Sequence, residues 1–260
     1  MTKQALREAR LSAWLRPPGK RPLVLGHRGA RESAPENSLR AFELALAEGA
    51  DGVELDVRLD RNGRVIVLHD AELSRVSKGT ETRPAEALGA AELGAVDLGG
   101  GERVPLLVDV LRLFRERGAR VNVELKRDVR RPAALLSGVE DAVRASEAPP
   151  ELVIFSSFRP GFVAALARRL PAFPRAWLVH ARQRIIRSAP LFRWLGSDGV
   201  HPEWSLVTEH SLARWKRGGA VVNAWTVNDP NEARRLAELG VDAIISDRPG
   251  AILAALGARR

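Results

Sequence analysis

Cysteine is absent from this chain of 260 residues. Disulfide bridges, zinc–thiolate sites, iron–sulfur clusters and a cysteine nucleophile are therefore excluded. Any metal ion must be held by oxygen atoms or imidazole nitrogens, a ligand set that favours Mg²⁺, Ca²⁺ or Mn²⁺. Tyrosine is also absent and methionine occurs once, which fits a composition biased towards arginine, alanine, leucine and proline.

Long apolar runs are missing as well. No run approaches the roughly 18 residues of a membrane-spanning helix. The first twenty residues, MTKQALREARLSAWLRPPGK, lack the uninterrupted apolar stretch of a secretory signal. The sequence therefore predicts a cytoplasmic protein.

What the chain has in excess is positive charge, with a net charge of +9. Such a surface attracts phosphate esters, nucleic acids and anionic lipid headgroups, but the arginine-rich composition explains the charge equally well. A nucleic-acid partner is disfavoured, because aromatic residues do not alternate with the basic ones along a stripe.

Short β-branched runs alternate with helix-length segments rich in alanine, leucine and arginine. The predicted strands are Leu23–Gly26, Gly52–Val57, Val65–Leu68, Val121–Leu125, Val153–Phe155, Ala176–Val179, Gly199–His201, Val221–Trp225 and Ala243–Ile245. The predicted helices include Ser38–Glu48, Leu107–Arg117, Ala133–Ala145, Gly161–Arg169, Ser211–Arg217 and Glu232–Leu239. This alternation predicts a parallel sheet with helices outside it.

A single (β/α)8 barrel spanning residues 1–260 is the predicted architecture, since the length and the strand count both suit it. Val65–Leu68 is the surplus strand, and Asn62-Gly63 predicts a hairpin that joins it to the strand before. Residues 70–104 are glycine-rich with little periodicity, and predict an insertion above one barrel face. A doubly wound open sheet is the alternative, but no glycine-rich nucleotide loop follows any predicted strand.

Two carboxylates share one face of the second predicted strand. Glu54 and Asp56 alternate with Val53, Leu55 and Val57, so a barrel would turn the acidic pair inward. Carboxylates about 7 Å apart on an inner face are costly unless a cation joins them. The pattern predicts a site for a divalent metal ion, with a solvated edge strand as the alternative.

The run Val121–Leu125 repeats this arrangement, with Asn122, Glu124 and Lys126 on the polar face. Glu124 is a candidate third metal ligand. Lys126 lies closer to the carboxyl end of the strand, where barrel active sites are found. A buried ion pair between Glu124 and Lys126 is the alternative interpretation.

Two histidines end predicted strands. His27 is followed by Arg28, whose planar guanidinium suits phosphate, and His69 is followed by Asp70. Together with the carboxylates these residues supply a general acid, a general base and a metal site, as cleavage of a phosphate ester requires. Trp225, on a later strand, is suited either to the apolar part of a substrate or to core packing.

A family resemblance rests on these same motifs. The segment HRGARESAPENSLRAFELALAEGADGVELDVRLDRNGRVIVLHD, residues 27–70, closely resembles the signature of the glycerophosphodiester phosphodiesterase family. Its elements are H-R-G, P-E-N-T, E-x-D, a D-G turn and V-x-H-D. Further similar blocks are NVELK (122–126), FSSF (155–158), NAWTVN (223–228) and GVDAIISDRPG (240–250).

The resemblance implies a (β/α)8 barrel that uses a divalent metal ion, Mg²⁺ or Ca²⁺ with Mn²⁺ also compatible. Its small-molecule substrates are glycerophosphodiesters, which it hydrolyses to sn-glycerol 3-phosphate and an alcohol. The implied roles are metal binding for Glu54, Asp56 and Glu124; acid–base catalysis for His27 and His69; phosphate binding and catalysis for Arg28 and Lys126; and substrate binding for Glu36 and Trp225.

Departures from the family pattern are few. Ser38 replaces threonine, Ala71 replaces proline after His-Asp, and Leu106 replaces threonine in the usual P-T-L. They concern the insertion more than the catalytic groups. Two alternative functions are a lysophospholipase-D-like activity on lipid phosphodiesters and, less favoured, phosphate-ester binding without catalysis.

The N-terminal segment has two interpretations. It is either a helix that closes the bottom of the barrel or a basic amphipathic helix in peripheral contact with a membrane. The residues concerned are Leu6, Arg7, Arg10, Leu11, Trp14, Leu15 and Arg16. The oligomeric state is not predicted by any of these patterns.

Overall fold

A computed structural model describes Arg7, residues 10–183 and residues 189–257, with the backbone alone described for residues 189–191. Its strands are β1 (Leu23–His27), β2 (Gly52–Leu59), β3 (Val65–Val67), β4 (Arg120–Leu125), β5 (Val153–Ser157), β6 (Arg175–Val179), β7 (Gly199–Pro202), β8 (Val221–Ala224) and β9 (Ala243–Ser246). Eight of them run parallel, and β1 pairs with both β2 and β9, which closes the sheet. The predicted (β/α)8 barrel is confirmed.

Helices follow the barrel strands along the chain. They are α1 (Leu39–Ala47), α2 (Ala90–Ala95), α3 (Leu107–Arg117), α4 (Pro132–Ser146), α5 (Pro160–Arg169), α6 (Ala189–Trp194), α7 (Glu209–Arg217), α8 (Pro230–Leu239) and α9 (Pro249–Ala255). The predicted alternation of faces explains how they pack. Val53, Leu55 and Val57 of β2 form one apolar cluster with Phe114 of α3, while the polar side chains between them face the barrel interior.

The predicted hairpin is confirmed. Strand β3 runs antiparallel to β2, with Val57 opposite Val67. Asp60 shapes the turn, since its Oδ1 accepts hydrogen bonds from the backbone N–H groups of Asn62 at 2.9 Å and Arg64 at 2.8 Å. Gly63 takes the left-handed conformation that such a turn requires, with φ of 86°.

The insertion is more ordered than its sequence predicts. It contains α2, whose start at Gly89 is stabilised by the Glu92 carboxylate, which accepts the Gly89 N–H at 2.9 Å. Leu73, Leu88 and Leu93 pack with β3 residues in a separate apolar cluster. The glycines that suggested irregular structure therefore include one that caps a helix. A smaller correction concerns β8, which ends at Ala224 and leaves Trp225 just beyond it.

The N-terminal segment closes the end of the barrel at which the strands begin. Leu11 and Trp14, with relative exposures of 1% and 0%, pack against Leu25, Ile154 and Val221. Of the two interpretations of this segment, the structure shows the packing expected of a closing helix. Because these contacts bury Leu11 and Trp14, the two side chains cannot contact a membrane surface. None of the helices in the described part of the chain has the length and apolar character needed to cross a membrane.

Candidate metal-binding active site

Three buried carboxylates meet inside the barrel near the carboxyl ends of β1, β2 and β4. The strand register brings them together, because Asp56 lies opposite Glu124 and His27 lies opposite Glu54. One oxygen from each of Glu54, Asp56 and Glu124 lies within 4.8 Å of the other two. A single metal ion can contact all three groups.

The charges around this carboxylate cluster are unevenly distributed. Asp56 lies 3.1 Å from Lys126 Nζ and 3.2 Å from Arg28 Nε, and Glu124 lies 2.9 Å from the same lysine. Among the described residues, Glu54 has no lysine or arginine side chain within ion-pair distance; it accepts the Arg28 backbone N–H at 3.2 Å. Three carboxylates thus face two side-chain cations, and Glu54 is the group left over.

The pKa directions follow from this arrangement. Burial, followed by the neighbouring charges of Asp56 and Glu124, raises the pKa of Glu54 well above its usual value. Burial also acts to raise the pKa of Asp56, but Lys126 and Arg28 outweigh it, so that pKa is lowered. Burial raises the pKa of Glu124 despite the opposing effect of Lys126. An unneutralised carboxylate beside two others fits a hard divalent cation, which favours multiple oxygen ligands.

His27 is oriented by a residue from the other end of the chain. Its Nδ1 lies 2.6 Å from Asp247 Oδ1, and Asp247 Oδ2 accepts the side-chain amide of Asn228 at 2.6 Å. Arg31 Nε also lies 2.7 Å from Asp247 Oδ1. Because Nδ1 is engaged, Nε2 is the nitrogen turned towards the carboxylate cluster, 3.9 Å from Glu54 Oε2.

His69 is held in the same manner from a different side. Its Nδ1 lies 2.6 Å from Asp70 Oδ1, and its carbonyl accepts the buried Arg58 Nε–H at 2.8 Å. Burial lowers the pKa of both His27 and His69, and their hydrogen bonds to Asp247 and Asp70 oppose that shift. Each imidazole is thus fixed through Nδ1 and keeps Nε2 for proton exchange.

Arg28 follows the end of β1 in a left-handed conformation, with φ of 56°. Its Nη1 donates to Glu36 Oε1 at 3.0 Å, in addition to the ion pair with Asp56. The next residue must be glycine, because a Cβ on Gly29 would lie 2.6 Å from the Ala41 carbonyl oxygen. The sequence His27-Arg28-Gly29 therefore describes a tight turn that aims the guanidinium at the carboxylate cluster.

Glu36 connects Arg28 to the insertion. Arg75 donates to both of its carboxylate oxygens, at 2.9 and 2.6 Å, and to Asp70 Oδ2 at 2.6 Å. Burial opposes ionisation of Glu36, but the hydrogen bond from Arg75 and the charge of Arg28 together lower its pKa. Arg75 thus supports both Glu36, the partner of Arg28, and Asp70, the partner of His69.

Sequence reasoning assigned no site role to Asn37, Arg75, Asn228 or Asp247. Asn37 is not the cap of α1; Ser38 is, since its Oγ accepts the Ala41 N–H at 3.1 Å. The Asn37 amide donates instead to Asp56 Oδ2 at 3.0 Å. Asn228 and Asp247 lie in the NAWTVN and GVDAIISDRPG blocks, which were the available signal. Arg75 has no comparable motif.

A pocket of about 600 Å³ opens beside this cluster and is lined in part by His69, Glu124 and Lys126. Trp225 forms another part of its wall, meeting Phe158 edge-on with ring centroids 5.5 Å apart. The indole N–H donates to the carbonyl of His201 at 2.8 Å, which fixes the ring. His201 itself is fully buried away from the pocket, and burial lowers its pKa to about 3.

Comparisons with known proteins agree with this geometry. The model of the glycerophosphoryl diester phosphodiesterase family matches residues 27–251. A glycerophosphodiester phosphodiesterase of Bacillus altitudinis is 31% identical over 87% of this chain and 94% of its own. A probable glycerophosphodiester phosphodiesterase of Mycobacterium tuberculosis is 32% identical over 88% of this chain and 90% of its own.

Solved structures show the same fold. An Oleispira antarctica phosphodiesterase, in complex with the product sn-glycerol-3-phosphate, has a TM-score of 0.82 and 27% identity, covering 91% of this chain and 97% of its own. A phosphodiesterase structure from Silicibacter pomeroyi has a TM-score of 0.86 and 25% identity, covering 95% and 97%.

Proposed function

Since this chain belongs to the glycerophosphoryl diester phosphodiesterase family, we propose that it hydrolyses glycerophosphodiesters with the help of a divalent metal ion and the pair His27 and His69. The products are sn-glycerol 3-phosphate and an alcohol. The observation that carries the proposal is the meeting of three buried carboxylates with two Nδ1-anchored histidines at the carboxyl end of the barrel.

Glu54, Asp56 and Glu124 would hold the metal ion, either Mg²⁺ or Ca²⁺, with Mn²⁺ compatible with the same oxygen ligands. When bound, such an ion supplies Lewis-acid polarisation of a phosphate oxygen. The uncompensated carboxylate Glu54 supports this assignment, because its raised pKa reflects a position in which the ionised carboxylate is disfavoured unless a cation lies beside it.

Arg28 and Lys126 bind the phosphate group of the substrate. Both already lie at the carboxylate cluster, and both are largely buried, so their charges act in a medium that screens them weakly. Asp56 and Glu124 keep Lys126 protonated, since together they raise its pKa against the effect of burial. Charge that develops on the phosphate oxygens during displacement is thereby stabilised.

His27 and His69 move the protons. Hydrolysis requires one base to take a proton from the attacking hydroxyl group or water, and one acid to protonate the oxygen of the departing alcohol. Asp247 and Asp70 hold the two rings with Nε2 free for these transfers. The lowered pKa of each histidine keeps a neutral imidazole available near neutral pH.

The rim of the pocket supports soluble substrates over lipids. Arg127 and Arg182, both exposed, line it, and charged side chains of this kind do not form a groove for an acyl chain. Leu11 and Trp14, two of the apolar residues considered for membrane contact, are buried in the barrel end. We therefore assign the substrate class as small glycerophosphodiesters.

The test is release of sn-glycerol 3-phosphate from glycerophosphocholine, glycerophosphoglycerol and glycerophosphoinositol in Mg²⁺, Ca²⁺ and Mn²⁺. His69→Ala and Glu54→Gln should each lower kcat by at least about a hundredfold, as expected when an acid–base group or a metal ligand is removed. Glu54→Gln should also weaken metal binding in a calorimetric titration. His210→Ala and Glu43→Gln, exposed and outside the site, should match the wild type.

Full activity in His69→Ala, or in wild-type protein treated with EDTA, would contradict the proposal. Binding of the three substrates without turnover under every metal condition would indicate phosphate-ester binding without catalysis.

A further inference from the structure

The outer part of the catalytic pocket carries two arginines that the proposed chemistry does not use. Arg127 and Arg182 both line the pocket and both are exposed. Within the described part of the chain, neither has a carboxylate within 4 Å. Guanidinium groups that face a binding pocket without an acidic partner are available to a ligand.

Acidic residues in or beside the pocket already have other partners. Asp70 is bound by Arg75, Asp128 by Arg58, and Glu203 by the Ala181 N–H at 2.8 Å and by His180 at 3.2 Å. Asp70 and Asp128 are therefore paired with other arginines, and Arg127 and Arg182 have no carboxylate partner in the described part of the chain.

One of the two arginines lies beside the aromatic wall of the pocket. Phe158 meets Trp225 edge-on, and Trp225 meets His180 with ring centroids 6.0 Å apart. Such a wall suits a quaternary ammonium group through cation–π contact. Here, however, the Arg127 guanidinium already lies 5.9 Å from the Phe158 centroid, so a second cation at this wall would meet like charge.

The position of the arginines indicates which part of the substrate they contact. Glu124 and Lys126, proposed to hold the metal ion and the phosphate, lie in the buried end of the pocket, while Arg127 and Arg182 lie at its exposed end. The open end can accept groups of different size, so it is suited to the alcohol, the part of a glycerophosphodiester that varies and departs.

We propose that Arg127 and Arg182 select glycerophosphodiesters whose alcohol carries a phosphate or carboxylate group, over those whose alcohol carries a quaternary ammonium. The proposal rests on the function proposed above and adds the class of leaving group. The two arginines act as specificity residues, and the bond cleaved and the products remain those of the hydrolysis already described.

The experiment compares kcat/KM for glycerophosphoinositol 4-phosphate and glycerophosphoinositol, which differ only in the added phosphate, with glycerophosphocholine as the cationic substrate. Wild-type protein should prefer the phosphorylated substrate. Arg127→Gln and Arg182→Gln should each reduce that preference by about two- to fivefold, the range for charge pairs open to solvent. The kcat/KM for glycerophosphocholine should rise, because its ammonium group meets less like charge at the pocket.

The matched control is Arg144→Gln, an exposed arginine on α4 away from the pocket, which should leave the ratio unchanged. Raising the ionic strength to about 1 M should also reduce the wild-type preference, because the screening length falls to about 3 Å.

Equal kcat/KM for the two inositol substrates in the wild type would overturn the inference and leave the proposed function intact. So would variants that alter the ratio no more than Arg144→Gln does. Failure to hydrolyse any of the three substrates with any of the three metals would instead overturn the proposed function, and this inference with it.

Discussion

Asn37 combines a backbone requirement and an electrostatic one in a single residue. Its φ of 56° lies in the left-handed region, which asparagine tolerates better than most residues with a Cβ. Its amide donates to Asp56, and this hydrogen bond contributes to the lowered pKa of that carboxyl. An ionised Asp56 is thereby maintained beside Lys126 even before a metal ion binds.

His201 gives the protein a stability that depends on pH. It is fully buried beside the Asn223 amide, at 2.9 Å, and its pKa of about 3 lies below the 6.5 of an unperturbed histidine. Between pH 6.5 and about 3 the unfolded chain binds the proton and the folded protein does not. Folding is therefore disfavoured progressively as the pH falls through this window, and unaffected by this group above it.

The free energy of unfolding, measured in urea from pH 7.5 to 4, should show this effect. In the wild type, uptake of one proton by His201 in the unfolded chain should lower the free energy of unfolding by at most about 1.4 kcal/mol for each pH unit of acidification. His201→Gln should remove this contribution. His210→Gln, at an exposed position, should leave the slope as it is. Parallel wild-type and His201→Gln profiles would contradict the assignment.

At this scale the sequence predicted the members of the carboxylate cluster and both histidines, but not what holds the histidines. The carboxylates could be predicted because strand periodicity and the E-x-D spacing are local. The contact between His27 and Asp247 joins residues 220 positions apart, and it exists because β1 pairs with β9. Without that pairing, nothing in the local sequence around Asp247 indicates a histidine partner.

Among the elements, the insertion of residues 70–104 influences the site through Arg75. This side chain donates to Glu36 and to Asp70, which in turn contact Arg28 and His69. A single residue of the insertion therefore supports Arg28, proposed to bind phosphate, and His69, proposed to transfer protons. The apolar cluster around Leu73, Leu88 and Leu93 keeps the segment in place.

Arg75→Gln should lower kcat/KM by about three- to tenfold, because charge-assisted hydrogen bonds to two carboxylates are lost from a side chain that is half exposed. Hydrogen exchange in residues 70–84 should also become faster. Arg83→Gln, which removes contacts within the insertion to Glu81 and Glu92, is the matched control and should keep wild-type kcat/KM. Equal effects of the two variants would show that Arg75 has no specific role.

Elements that rest on local patterns were predictable. The position of the insertion was also predictable, but its internal structure was not. The hairpin from β2 to β3 follows from Asn62-Gly63 between apolar runs, and it forms as predicted. Helix α2 spans only six residues and contains Gly94, so it has too few turns to show helical periodicity. Its stability comes from packing against β3 and from the Gly89 cap, which are contacts that a sequence pattern does not display.

On the scale of the whole molecule, the chemistry and the N-terminal closure lie at opposite ends of the barrel. Trp14 is completely buried at the end where the strands begin, whereas Glu124 and Lys126 lie where β4 ends. Stability at one end is thus separated from catalysis at the other, as is common in this architecture.

Trp14→Ala should lower the free energy of unfolding by about 3–5 kcal/mol, the usual cost of emptying a large aromatic site. Well below the unfolding midpoint, kcat/KM should stay within about twofold of the wild type, since the site is remote. Trp194→Ala, at a residue with 88% exposure, is the control and should change stability by less than about 0.5 kcal/mol. A change no larger than the control's would show that the segment does not close the barrel.

The pairing of His27 with Asp247 also has a consequence for biosynthesis. A ribosome adds Asp247 only 220 residues after His27. A nascent chain can therefore contain the three carboxylates of the cluster and both histidines before the His27 ring is correctly oriented. Strand β9 brings that aspartate into place when it pairs with β1 and closes the barrel, so orientation of the His27 ring depends on closure of the sheet.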